Sequence, residues 1–284
     1  MKLWSICPPT SLSDPPQHGF LRKKSCLTNL LSFLEILTNA HEQDKSVDIV
    51  FLEFAKAFDK VPKQRLLEKI QAHGIQGNVI NWIHQWLSGR KQRVVINGSH
   101  SDWSDVKSGV PQGSILGPLA FIIFINDIDC CAEMIDVILK FADDTKAGHQ
   151  ISADRDRQSL QTCLDNLVEW ADKWQMQFNI SKCKVMHIGR GNPMHTYYMS
   201  GIALQEVSTE KDIGVLLDSS LKPSKKCAEA ARRANAILDE ISRAFHFRDR
   251  FVYVNLYKKY VRCHMEFSVS AWCPWSVADK EALE

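Results

Sequence analysis

Between Ser25 and Thr38 the apolar residues Leu27, Leu30, Leu31, Phe33, Leu34 and Leu37 recur every three to four positions, the spacing of an amphipathic helix. Val47, Ile49, Val50, Phe51 and Leu52 then form a short, nearly continuous apolar run bounded by charge, which predicts a strand buried on both faces. Two short helices follow, from Lys63 to His73 and from Asn78 to Leu87, each with a glycine stop at Gly74 or Gly89. Arg93 to Ile96, Asn97-Gly98 and the stretch to Val106 predict a hairpin, because Asn-Gly is the strongest two-residue turn signal.

Ser114 to Asp127 reads as a buried helix, and Val137 to Ala142 and Lys146 to Ile151 as two strands about a tight Asp143-Asp144-Thr145 turn. Leu160, Cys163, Leu164, Leu167, Trp170 and Trp174 define one face of a helix from Ser159 to Gln175. A strand at Lys184 to Ile188, a hairpin within Ile202 to Leu217 and helical periodicity from Ser224 to about Arg262 complete the pattern. Strands and helices mixed without steady alternation predict an α+β fold, a sheet with helices on one face and a helical appendage. Trp82, Trp86, Trp170 and Trp174 sit at helical spacings and are expected in the core.

Composition changes this picture only locally. The 284 residues are 45% hydrophobic and 24% charged, an ordinary globular mixture with a formal charge of +2. Residues 222–262 carry 11 Lys/Arg against 4 Asp/Glu, so a basic C-terminal module follows a slightly acidic body. The nine cysteines are scattered and odd in number, as expected of reduced intracellular thiols, and Cys263, His264 and Cys273 lack the paired spacing of a zinc site. The apolar stretch at Met1 to Pro9 is too short for a signal peptide, so secretion is not expected and an intracellular protein is. The longest apolar run, Ile115 to Ile125, is well short of the roughly 20 residues that cross a bilayer.

Two acidic positions follow apolar strands: Glu53, and the pair Asp143-Asp144. Carboxylates at strand ends suit magnesium, which prefers hard oxygen ligands. An acidic pair at a turn is also ordinary turn chemistry, and the residues alone leave both readings open. Their company is more specific. Phe141-Ala142-Asp143-Asp144 resembles the acidic box of LINE-type (non-LTR) retrotransposon reverse transcriptases, and Phe54-Ala55-Lys56-Ala57-Phe58-Asp59 resembles their first palm motif. Ser108-Gly109-Val110-Pro111-Gln112-Gly113-Ser114-Ile115-Leu116-Gly117-Pro118 resembles the second. The likeness extends upstream to Gln17-His18-Gly19-Phe20-Leu21-Arg22-Lys23-Lys24-Ser25 and downstream to the lysine-bearing stretch from Trp174 to Lys184 and to Lys211–Asp218, which is similar to the primer-grip hairpin. It covers about residues 17–275 and is nearest to jockey-type elements.

The resemblance implies a polymerase palm, an antiparallel sheet with helices on one face, with partial fingers over residues 17–221. It implies a helical, basic thumb over 222–284 after an irregular lead-in at 1–16. Glu53, Asp143 and Asp144 would hold two magnesium ions. The partners implied are a template RNA, a DNA primer and deoxynucleoside triphosphates. Phe58 would be the ring beneath the sugar that rejects a 2′-hydroxyl. Phe54, Gln112 and Gly113 would line the substrate, Gln112 bracing template and incoming base. Lys182 would protonate the departing pyrophosphate. Gly214, Lys225, Lys226, Arg232 and Arg233 would hold the duplex, the cations through phosphates. Plain packing for Phe58, a helix cap for the Gln112 loop, and solvated faces for Lys182 and the basic helix are the alternative readings.

Two departures from the family pattern stand out. Glu53 occupies the place of an aspartate, which moves the charge by about one methylene, ~1.5 Å. The family's upstream finger segments, endonuclease and cysteine-rich tail are not recognisable in these residues. The expectation is therefore a weakened RNA-directed DNA polymerase domain, with a non-catalytic retroelement remnant that still folds as a palm as the alternative.

Overall fold

The computed structural model describes residues 16–245 and 249–284, so the lead-in expected at 1–16 lies outside the described residues except for Pro16. Helix α1 (Cys26–Glu42) starts where Ser25 and Thr28 exchange hydrogen bonds in a capping box, Thr28 N donating to Ser25 Oγ at 3.2 Å and Ser25 N to Thr28 Oγ1 at 2.8 Å. Strand β1 (Ser46–Leu52) leads to α2 (Ala57–Lys60), α3 (Lys63–Ala72) and α4 (Asn78–Leu87). An exposed ribbon follows, made of β2 (Lys91–Gln92), β3 (Val95–Ile96), β4 (Ser99–His100) and β5 (Ser104–Asp105). Its tip uses Asn97 and Gly98 at φ 48° and 83°, the positive-φ pair that a two-residue hairpin turn requires.

Helix α5 (Leu116–Phe124) is followed by β6 (Val137–Phe141), β7 (Asp144–Ile151), α6 (Asp154–Trp174) and β8 (Lys184–Ile188). The short strands β9 (Tyr198–Met199), β10 (Ile202–Ala203) and β11 (Gln205–Glu206) precede the hairpin of β12 (Thr209–Asp212) and β13 (Val215–Asp218). Helix α7 (Ser224–Ala244) then leads into α8 (Arg250–Leu256), a π-helical turn at Tyr257–Val261, α9 (Arg262–Glu266) and α10 (Val277–Glu281). No helix among the described residues is long and apolar enough to cross a membrane.

Five strands form one sheet in the order β11-β8-β1-β7-β6, antiparallel throughout except that β11 runs parallel to β8. The central β1 alternates between two cores, and this corrects the expectation of helices on one face. Val50 and Leu52 join Ala147 and Val185 beneath α5 and α6, against Phe121, Phe124, Leu160, Leu164 and Leu167. Val47 and Ile49 join Val137, Leu139, Met186 and Ile188 on the opposite face, covered by Leu30, Phe33 and Leu37 of α1, Val215 and Leu217 of β13, and Cys227 and Ala230 of α7. A strand apolar on both faces needs a layer on each, since every fully buried Val, Leu or Ile contributes about 1.5–3 kcal/mol.

One polar residue sits inside that strand. Asp48 is fully buried, and its carboxylate accepts from His187 Nδ1 at 2.6 Å, Asn192 Nδ2 at 2.8 Å and the Tyr197 hydroxyl at 2.7 Å. The burial is tolerable because Asp48 and His187 face each other in the β1–β8 register, so the acceptor and its donors arrive together. The first turns of α7 belong to the main body through Cys227 and Ala230, and a separate small cluster of Ala234, Ile241 and Val261 holds the later helices.

Candidate active site

Strand β1 ends at Leu52, which pairs with Thr145; one step further the antiparallel register runs Glu53 alongside Asp144. Phe141 pairs with Asp144, so the β6–β7 turn is Ala142-Asp143, one residue tighter than expected, and Asp144 begins the strand. The sheet thus brings together Glu53, Asp143 and Asp144 from segments 90 residues apart, with Asp144 rather than Asp143 as Glu53's cross-strand neighbour.

The turn is held from outside the sheet. Ala142 has φ 57°, a conformation that costs a non-glycine residue on the order of 1 kcal/mol. The Gln17 amide brackets its peptide groups: Ala142 N donates to Gln17 Oε1 at 2.9 Å and Gln17 Nε2 donates to Ala142 O at 3.2 Å. Gly19 N closes the bracket on Gln17 Oε1 at 2.7 Å, and a Cβ at Gly19 would collide with Ala142 N. Gln17 is a positioning residue that its sequence motif signals without revealing what it positions.

The acidic end faces a concave pocket lined by Glu53, Asp144, Lys182, Glu210, Lys211 and Asp212, among others. Partial burial, then the charges of Asp143, Asp212 and Glu53, raise the Asp144 carboxyl to about 6. The residue as a whole keeps an exposed surface, so solvent screening reduces the weight of these charges. Burial and the Glu53 charge also raise Asp143. Lys182 Nζ lies 2.5 Å from Glu53 Oε1, and that hydrogen bond and charge raise the lysine above its ordinary value.

The sign for stability follows from linkage. A carboxyl raised from 3.8 to about 6 binds more protons folded than unfolded across that window, so it destabilises the fold increasingly as pH rises through it. Asp144→Asn is expected to raise the melting temperature at pH 7.5 by about 2–4 °C, on the order of 1 kcal/mol after screening. The difference should vanish near pH 4. A scan of melting temperature against pH checks it, and an equal gain at both pH values would contradict the repulsion.

The donor chemistry fits a hard divalent cation: carboxylates gathered at one sheet end, where burial and then mutual repulsion favour their protonation. The chelate itself is not formed in this arrangement. Among the described residues no three His, Cys, Asp or Glu side chains are gathered closely enough to hold a metal ion, and Glu53 is engaged by Lys182.

The loop before α5 is fastened to the segment that follows Glu53 in the chain. Gly109 N donates to Val61 O at 2.8 Å and Val110 N to Phe58 O at 2.9 Å. Gly109, at φ 85°, approaches so closely that a Cβ would stand 2.6 Å from Asp59 O. Ser108 Oγ donates to that same carbonyl at 2.8 Å, and Gln112 Nε2 donates to Asp59 Oδ1 at 2.8 Å. Asp59 is therefore the joint between the two motifs, a function that its place in the sequence did not disclose. Gly113 has φ 78° and open space around it. Phe58 stacks on Phe121 at 4.3 Å and meets Phe20 edge-on at 6.4 Å, leaving the ring half-buried at the edge of the core.

Several expectations are corrected. Phe54 is 2% exposed and stacks on Phe178 at 4.3 Å, so its side chain belongs to the core rather than to a substrate surface. Lys226 is 4% exposed: its Nζ donates to Gly214 O at 3.3 Å and Glu229 Oε2 at 3.1 Å and lies 5.6 Å over the Trp272 ring, so it is not on an exposed basic face. It falls on the stripe of α7 that Cys227 and Ala230 bury. Gly214 packs against the Phe267 ring, an internal contact. Lys225 pairs with Asp218 at 2.5 Å and Arg233 with Glu229 at 2.7 Å, while Arg232 is exposed. Trp82 is 53% exposed, stacked on Trp86 at the mouth of an apolar pocket between α3, α4 and α5. Trp170 is buried as expected, with Trp174 packed against the same core; both rings, with Phe124, surround the Lys69 ammonium.

The sequence of residues 2–228 matches the family model described as reverse transcriptase (RNA-dependent DNA polymerase). The chain belongs to the reverse transcriptase family. Its LINE-type, jockey-like resemblance is borne out. It is 30% identical over 216 residues to the RNA-directed DNA polymerase from mobile element jockey of Drosophila funebris, covering 72% of this chain and 23% of that protein. It is 26% identical over 242 residues to the probable RNA-directed DNA polymerase from transposon X-element of Drosophila melanogaster, covering 83% of this chain and 26% of that protein. The chain thus spans about a quarter of the length of these relatives. A structure of telomerase from Candida tropicalis, in complex with a fragment of telomeric RNA, aligns over 99% of this reverse transcriptase chain and 54% of its own, with a TM-score of 0.50 at 11% identity, a likeness of fold.

Proposed function

We propose that this chain is the polymerising part of an RNA-directed DNA polymerase, with palm and partial fingers over residues 17–221 and a helical thumb over 222–284. It would extend a DNA primer on an RNA template with deoxynucleoside triphosphates. The observation that carries the reading is the pairing of Leu52 with Thr145 where β1 meets β7, which sets Glu53 and Asp144 at the same end of the sheet with Asp143 at the adjoining turn.

Glu53, Asp143 and Asp144 would hold magnesium, which when bound activates the primer 3′-oxygen and steadies the triphosphate. The chain's own residues supply the rest. Phe58, backed by Phe121, offers a fixed ring where a sugar 2′-hydroxyl would collide. Gln112, tied to Asp59, would brace the template and incoming base. Lys182 would carry a proton to the departing pyrophosphate, and its pairing with Glu53 keeps that proton on Nζ until the pair opens. Arg232, exposed on α7, and Lys225 and Arg233 once released from their partners would meet backbone phosphates.

The test is primer extension by purified protein on a homopolymer RNA template with magnesium and deoxynucleotides. Extension that disappears in Asp143→Ala is the expected result. No extension by the unmodified chain under saturating substrate would favour the second reading, a non-catalytic remnant, for which the Glu53–Lys182 pair is the specific support.

A further inference from the structure

The ribbon at residues 90–107 has no part in the reading above, and its chemistry points to a ligand of its own. Every residue from Lys91 to Asp105 is exposed, including Val94, Val95 and Ile96 and, at 60%, Trp103. Two-stranded ribbons without a covering layer are marginal in water, so a surface this apolar is suited to being covered by a partner. Arg93 lies over the Trp103 ring with its guanidinium carbon 4.6 Å from the ring centroid. The ribbon holds four Lys/Arg, at Arg90, Lys91, Arg93 and Lys107, against Asp102 and Asp105.

We infer that this ribbon docks single-stranded nucleic acid, with Trp103 and Arg93 as a stacking platform and the basic residues as its phosphate contacts. Two observations select that partner. An exposed indole with a guanidinium on it presents a π-face and positive charge together, the combination on which unpaired bases stack. Strands of two residues each are poor templates for adding a protein strand. The root of the ribbon is fixed to the site: Lys63 Nζ donates to Val106 O at 2.6 Å, and the next residues are the Gly109–Gln112 loop beside Phe58. A strand on the ribbon would therefore approach the loop that is bonded to Phe58 and Asp59.

The inference goes beyond polymerisation and needs no metal, so it is tested apart from it. Binding of the full chain to a labelled 15-nucleotide oligo-U RNA, and to oligo-dT of equal length, would be followed by fluorescence anisotropy without divalent cation. Trp103→Ala is expected to weaken both by on the order of 10-fold, because stacking does not require the 2′-hydroxyl. Trp103→Phe should keep most of the affinity. Arg93→Gln and Lys91→Gln should each lower the slope of log affinity against log salt by about 0.7. Unchanged affinity in Trp103→Ala, or a loss confined to duplex, overturns the inference. So does loss of a sedimenting dimer in Trp103→Ala with oligonucleotide binding intact, which would make the ribbon a contact between copies.

Discussion

Glu53→Asp should raise magnesium-dependent primer extension by roughly 10- to 100-fold, the scale on which a displacement of about 1 Å changes a positioned reaction. The longer side chain now reaches Lys182, with Oε1 2.5 Å from Nζ. Removing one methylene withdraws the carboxylate by ~1.5 Å toward the strand end, away from the lysine and alongside Asp144, without changing charge. The exposed pair itself contributes little, so its loss should leave the melting temperature nearly unchanged. The comparison belongs at saturating deoxynucleotide, with Asp143→Ala as the blank. Glu53→Asp at the level of the blank would place the lesion elsewhere. Faster extension by the unmodified chain than by Glu53→Asp would mean the site is adapted to glutamate.

What the sequence discloses here is mostly local. The run ending at Leu52 announces a strand with an acid at its end because apolar continuity and a bounding charge are read from neighbours. The helices at Lys63–Ala72 and Asn78–Leu87 are legible for the same reason, and the Asn97-Gly98 turn because its backbone demands those residues. Three motifs in order brought Glu53, Asp143 and Asp144 together on paper, and the β1–β7 register does so in space.

The contacts that were not legible join residues far apart. Gln17 and Ala142 are separated by 125 positions, and an amide that brackets one peptide leaves no periodic trace. Asp48 interrupts an apolar run and becomes intelligible only when β8 supplies His187 opposite it. Phe54 lies in a catalytic motif by its neighbours, yet strand alternation turns Glu53 and Phe54 to opposite sides, and Phe54 goes to the core. Lys226 shows the reverse case. A lysine in a basic helix reads as solvated, and only the helix register, beside Cys227 and Ala230, buries it.

Lys146→Met should lower the melting temperature by roughly 10 °C, from a loss of about 3–5 kcal/mol, the usual consequence of stranding one member of a buried ion pair. Lys146 and Asp212 are each about 4% exposed and bond directly, Nζ to Oδ2, and Lys146 also donates to Asn29 Oδ1 at 2.6 Å and lies 4.6 Å over the Phe33 ring. The pair fastens the β12–β13 hairpin to β7 two residues from Asp144. Burial pushes Lys146 down and Asp212 up, and each is held back by the other's charge. Without the lysine, Asp212 is raised further and binds its proton more tightly folded than unfolded. The stability lost should therefore be small at low pH and grow as pH rises through the carboxyl's folded range. Lys146→Met with Asp212→Leu should recover most of the loss, since two apolar groups need no counter-charge. Chemical denaturation of the single and double variants at pH 5 and pH 8 measures all of this. A single variant as stable as the unmodified chain, or a loss independent of pH, would show that the pair does not hold the hairpin to the sheet.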